Sequence, residues 1–170
     1  MLGLLFGMRR SEALGLRWSD IDLEKQTIVI SFTTTQMRTL LMDEHTKSAT
    51  SHRMLSVMDD VIGYFKRLKA QQEANKREYG DKYHDSDFVC VWPDGRIILP
   101  GYVSHNFKKL LAKYSLPEIR FHDLRHTAGS LLLAQGVNSD VTTTLNIYVH
   151  TDEEAKKETA AAMGKVLKLS

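Results

Sequence analysis

Apolar positions recur along this chain with two periods, and the changes between them mark its elements. The first stretch, Met1-Leu2-Gly3-Leu4-Leu5-Phe6-Gly7, is apolar and helix-like without a polar lead-in, and Ser11-Glu12-Ala13-Leu14-Gly15-Leu16 continues it. Trp18-Ser19-Asp20-Ile21-Asp22 reads as a turn. Three runs, 27–32, 37–42 and 52–57, are β-branched or alternating and are separated by polar turns, which predicts an antiparallel meander. From Met58 the period lengthens: Met58, Val61, Ile62, Phe65 and Leu68 recur at helical spacing ahead of a polar continuation from Lys69 to Tyr79. Asp94-Gly95 marks a short hairpin around Trp92 and Arg96. Val103, Phe107, Leu110, Leu111 and Tyr114 predict a helix that stops before Pro117. Leu124, Ala128, Leu131 and Leu132 predict another, with Gly136 as its carboxyl cap. Segments 142–150 and 152–167 read as short helices. The pattern gives an α+β class: one mostly α-helical domain with a small antiparallel three-stranded β-sheet.

Composition changes this picture little. The chain has 170 residues, 42% hydrophobic and 26% charged, enough for one domain with a real core. A net charge of +2 and a pI of 8.6 permit nucleic-acid binding without arguing for it, since a strong footprint usually lifts a domain above about 9. The single Cys90 excludes an internal disulfide framework and reads as a small buried strand residue. No apolar run approaches the roughly 18 residues of a membrane span, and no signal peptide is recognisable, so a soluble intracellular domain without membrane partners is expected. The abrupt apolar start predicts a piece of a longer chain.

Four segments carry candidate chemistry. In Phe121-His122-Asp123-Leu124-Arg125-His126, a helix would project His122 and Arg125 from one face. Two polar groups without an anion make a poor core pair but a good phosphate clamp, with a planar donor fork beside a titratable donor. His122 and His126 also have the spacing of a helical metal pair, which makes a zinc hydrolase the rival reading; Arg125 would then set a cation beside the metal, and no third ligand stands out. In Gly7-Met8-Arg9-Arg10-Ser11-Glu12, either one arginine is solvated while the other pairs with Glu12 or Asp20, or one is an anion ligand. Thr46-Lys47-Ser48-Ala49-Thr50-Ser51-His52-Arg53 reads as a polar tip between strands, where lysine is a solubilising residue unless the tip leans over a phosphate. In Thr143-Thr144-Leu145-Asn146-Ile147-Tyr148, the tyrosine is a core or interface residue, or a nucleophile if nearby cations favour phenolate.

Taken together and in this order, these segments resemble the tyrosine recombinase family, the phage-integrase type of site-specific DNA recombinase, over nearly the whole chain. The resemblance implies the tyrosine-recombinase catalytic fold across residues 1–170, with 152–170 as a tail helix. It places Arg9, rather than Arg10, as the first catalytic arginine, Lys47 as the hairpin lysine, His122 and Arg125 as the His-x-x-Arg pair and Tyr148 as the nucleophile. It implies cleavage and rejoining of DNA through a 3′-phosphotyrosine, with no metal and no cofactor. The implied partners are double-stranded attachment sites, further copies of the chain in a homo-tetramer joined through the tail helix, and an accessory directionality factor. It further implies a cytoplasmic bacterial protein of a mobile genetic element, nucleoid-associated when bound to DNA. An amino-terminal DNA-binding domain and a first helix of the catalytic domain, usual in the family, are expected ahead of Met1.

One departure stands out. Arg125 and Tyr148 are 23 positions apart, about ten fewer than the family pattern needs, and the Leu-Gly-His-Ser-like segment is missing where Asn138 meets Ser139. Either residues are omitted there, which is the expected account, or a true deletion leaves an inactive DNA-binding remnant.

Overall fold

The computed structural model describes residues 1–31, 33–36, 40–43 and 53–134. Two short helices open the chain, α1 (Leu2–Leu5) and α2 (Arg10–Gly15). A 3₁₀ turn at Trp18–Asp20 leads to strands β1 (Ile21–Asp22), β2 (Thr27–Ile30), β3 (Thr33–Gln36), β4 (Leu40–Asp43) and β5 (Arg53–Ser56). Three helices complete the described part: α3 (Asp59–Tyr79), α4 (Pro100–Lys113) and α5 (Asp123–Ala134). The expected α+β class holds. Among the described residues no helix is long and apolar enough to cross a membrane.

The sheet differs from the expected meander. Its order is β1-β2-β5, all antiparallel, with Thr27 opposite Ser56 and Ile30 opposite Arg53. The middle run does not join it; β4 pairs with β3 in a separate two-stranded ladder, Thr33 opposite Asp43 and Gln36 opposite Leu40. The first and third runs therefore pair directly. Alternation explains why: Ile28, Ile30, Leu55 and Val57 are all buried, and only direct pairing puts both apolar faces on one core. The third strand is β1, within the stretch whose sequence reads as a turn, with Ile21 buried opposite Ile28. Two residues separate β2 from β3, whereas residues 44–52 separate β4 from β5. The Lys47 segment thus joins strands of different ladders rather than two strands paired with each other.

Helix α3 follows its predicted period. Met58 stands just before it, and Val61, Ile62 and Phe65 are buried against the sheet residues and Leu16. Phe65 meets the Trp18 ring edge-on at 6.3 Å, and the Trp18 indole donates to Gln72 Oε1 at 2.8 Å. On α4 the expected face is only partly used: Leu111 is buried, but Leu110 and Tyr114 are exposed. The Asp94-Gly95 turn forms as predicted, closed by the Val91–Ile97 bridge, with Gly95 at φ +81°. A Cβ there would lie 2.3 Å from the His84 carbonyl oxygen, so glycine is required. Cys90 lies beside this bridge, partly buried, rather than within a strand; burial pushes its thiol up to about 11.

Helix α5 packs on α1, and Gly3 makes the approach close: a Cβ at that position would sit 3.2 Å from the Phe121 ring. Helix α2 packs on β3 and α4. These contacts bring the amino-terminal segment, α4 and the start of α5 together. Gly136, Lys47, Tyr148, the junction at 138–139 and the tail helix lie outside the described residues.

Phe65 is fully buried between α3 and the sheet. Phe65→Ala is expected to cost about 3–5 kcal/mol, measured as a lower urea midpoint with the denaturant slope retained.

Candidate active site

The site begins with the turn that ends α1. Gly7 takes φ +57°, a left-handed conformation that glycine adopts without strain. Met8 is buried at 1% exposure, which anchors the turn, and Arg9 is extended (φ −64°, ψ 153°) just before α2. Arg9 therefore projects at the edge of the core while Arg10 starts the helix.

Glu12 organises the cations around it. It is 2% exposed, and its carboxylate accepts four hydrogen bonds. Oε1 receives Arg9 Nη1 at 2.8 Å and Arg53 Nη1 at 3.2 Å; Oε2 receives the Arg9 backbone N–H at 2.8 Å and Arg53 Nη2 at 2.9 Å. Each oxygen thus uses both lone-pair positions. Burial alone would push the Glu12 carboxyl up, but the bonds and charge of Arg53, with the bonds from Arg9, hold it below its usual range.

Arg53 belongs by sequence to a polar tip; the structure instead leaves it 1% exposed on β5, on the face shared by Leu55 and Val57. Its alternation with those residues is the signal that points inward, and no sequence feature names its partner. Its Nε is buried without a hydrogen bond among the described residues.

His122 and Arg125 arrive from the other side. Helix α5 starts at Asp123, so His122 sits in the preceding turn rather than on the helix. Its carbonyl accepts the Arg125 N–H at 3.1 Å, which ties it to the first helical turn. Asp123 accepts the backbone N–H of Arg120 at 2.8 Å and its Nη2 at 2.9 Å, fixing the entry of the chain. Arg125 is buried at 8% exposure and donates through Nη1 to the Gly7 carbonyl. Burial, reinforced by the charges of Arg53 and Arg9, brings its guanidinium down to about 10, with Glu12 opposing. His122 is lowered from its ordinary 6.5 by partial desolvation, then by the charges of His126, Arg125 and Arg9. At pH 7 it is mostly neutral and able to accept a proton.

Arg9, His122 and Arg125 therefore share one positive field, although they come from separate stretches of chain. Arg9 and His122 line an open cleft of about 460 Å³ with Arg10, Ser104, Lys108 and Arg120. A larger cavity of about 580 Å³ beside Met1, Leu4, Asp59 and Tyr64 contains none of these residues. The arginine pair resolves: Arg9 binds Glu12, while exposed Arg10 reaches the Ser104 hydroxyl on α4. The His122 and His126 rings stand edge-to-face at 5.2 Å, but among the described residues no group of three or more His, Cys, Asp or Glu could hold a metal. The zinc reading lacks a third ligand there.

Comparison with known proteins defines the class. The integrase of transposon Tn1549, solved in complex with transposon right-end DNA, superposes with a TM-score of 0.70 at 21% identity, over 98% of this chain and 57% of that one. XerA recombinase superposes with a TM-score of 0.63 at 16% identity, over 94% of this chain and 54% of that one. The fold is that of the tyrosine-recombinase catalytic domain. A tyrosine recombinase XerC-like protein of Caldanaerobacter subterraneus subsp. tengcongensis is 26% identical over 172 residues, covering 88% of this chain and 44% of that protein. The ICEBs1 integrase of Bacillus subtilis is 26% identical over 176 residues, covering 98% and 48%. The model of the phage integrase family matches residues 1–155, and the chain belongs to that family. It spans about half the length of these curated relatives.

Glu12→Gln removes one charge from a buried pair and strands Arg53, at an expected cost of about 3 kcal/mol. The folded carboxyl lies below its ordinary 4.5, so its stabilisation is present above that pH and is lost as pH falls through the lower folded value. The difference in unfolding free energy between the native chain and Glu12→Gln should be constant well above pH 4.5 and shrink below it; paired denaturation curves across pH test this.

Proposed function

We propose that this chain is the catalytic part of a site-specific DNA recombinase that cuts and rejoins strands through Tyr148. The observation that carries the reading is the convergence of Arg9, His122 and Arg125 on one positive field. Such a field suits a phosphodiester, and it suits still better the more highly charged five-coordinate state through which phosphoryl transfer passes. Preference for that state over the ground state is what accelerates the reaction. In this reading Arg9 and Arg125 hold the non-bridging oxygens. Neutral His122 bonds the phosphate or takes the phenol proton, and Lys47 protonates the departing 5′-oxygen. Tyr148 attacks in line and remains as a 3′-phosphotyrosine, and a 5′-hydroxyl from another strand reverses the step. Bond energy is conserved, so no nucleotide triphosphate is consumed.

The same reading supplies the partners: duplex attachment sites, further copies of the chain assembled as a tetramer through the tail helix, and a directionality factor. The expected cellular setting is the bacterial cytoplasm, on the nucleoid when DNA is bound. A domain preceding Met1 would clamp the opposite face of the duplex. The 23-position interval from Arg125 to Tyr148 favours one second reading, an inactive DNA-binding remnant.

A nicked suicide duplex, made from the DNA that flanks the gene, separates the two readings. The full-length protein should form a covalent adduct that Tyr148→Phe abolishes and that Arg125→Ala slows by at least about a hundredfold. Because Arg125 also bonds the Gly7 carbonyl, its alanine variant should lose some stability, and Arg125→Lys serves as the better-folded control. DNA binding without any adduct would instead mark the remnant.

A further inference from the structure

The recombinase reading uses Arg9 and leaves Arg10 without a role. Arg10 nevertheless lines the same cleft, where it meets Ser104 of α4. Its backbone begins α2 whereas Arg9 is extended, so the two guanidiniums leave the chain for different partners, Glu12 for one and the Ser104 hydroxyl for the other. The cations of this cleft also differ in what already satisfies them. Arg9 has Glu12 at 2.8 Å, Lys108 has Glu118 at 2.7 Å and Arg120 has Asp123 at 2.9 Å. Arg10 is exposed, and among the described residues its only partner is a neutral hydroxyl. A guanidinium is a five-donor fork, and one hydroxyl leaves most of those donors directed at solvent or at an arriving anion. Ser104 holds the fork within the lining of the cleft, which reduces the entropy lost on binding.

We infer that Arg10 and Ser104 form a second phosphate clamp, which grips a phosphate flanking the one gripped by Arg9 and so sets the register of the DNA strand in the cleft. This rests on the strand-transfer reading and adds a positioning residue to it. The clamp reads the backbone rather than the bases, so its effect should be uniform across DNA sequences. It also gives the cleft two anchors on one strand, and two anchors fix a direction as well as a point.

The test is a cycle between protein and DNA, measured by fluorescence anisotropy with the full 170-residue chain and a duplex in low salt. Arg10→Ala should weaken binding about tenfold and flatten the dependence of log affinity on log salt by about 0.9, one phosphate contact. Single methylphosphonates are placed in turn at the phosphates around the scissile position. One of them should weaken the native chain about tenfold yet have little further effect on Arg10→Ala, because the pair it removes is already broken. Arg10→Lys should recover most of the salt slope, which a mere unfolding defect would not allow, and Ser104→Ala should weaken the same phosphate. If the native chain binds DNA and Arg10→Ala keeps both the full salt slope and the full loss at every methylphosphonate, the clamp is overturned and the recombinase reading stands. If the native chain binds no DNA even in low salt, the clamp is overturned, while the adduct assay on the full-length protein still decides the recombinase reading.

Discussion

A carboxylate buried at 2% exposure, with both oxygens doubly bonded, is the constraint on which the site depends. Glu12 joins three parts of the chain: the turn after α1 through Arg9, its own helix α2, and β5 through Arg53. Two guanidiniums share one carboxylate, so the cluster keeps an excess of positive charge after its internal pairing is complete. Arg125, packed beside it through the Gly7 carbonyl, adds to that excess. A buried ion pair is weak support for stability on its own account. Here its effect is geometric, because it holds the Arg9 guanidinium in one place, which would lessen the cost of ordering that side chain on an anion.

Much of this is legible in the sequence, for physical reasons that differ from element to element. Helix α3 can be read because Val61, Ile62 and Phe65 repeat at helical spacing on one buried face. His122 and Arg125 stand out in the sequence as two polar groups without an anion, whereas only the family resemblance sets Arg9 apart from Arg10. Strand β1 cannot, since a two-residue strand is too short to show a period and Ile21 lies between two aspartates. The pairing of β2 with β5 is hidden because the intervening run is itself β-like, and only burial of both alternating faces decides which strands meet. The partnership of Glu12 with Arg53 spans 41 positions, and no local pattern reports a contact at that separation.

The start of α5 shows how a shift of one residue changes the setting of a side chain. Were His122 inside the helix, its ring would be held by the helical rotamers. In the turn before it, the backbone carbonyl of His122 is bound to Arg125 while the ring stays exposed at the cleft, next to His126. Partial desolvation, and after it the positive surroundings that would welcome a phosphate, lower the pKa of this imidazole from its ordinary value. Anion attraction and a neutral imidazole are thus compatible at one place.

The two ladders of the sheet region have a consequence of a different kind. β2–β5 and β3–β4 each close by their own pairing, and residues 44–52 connect them opposite a gap of only two. Neither register counts the length of that connection, so residues could be gained or lost in it without turning a single buried side chain outward. The length of the connection that carries Lys47 is therefore free to change over evolution while the scaffold on either side of it stays the same.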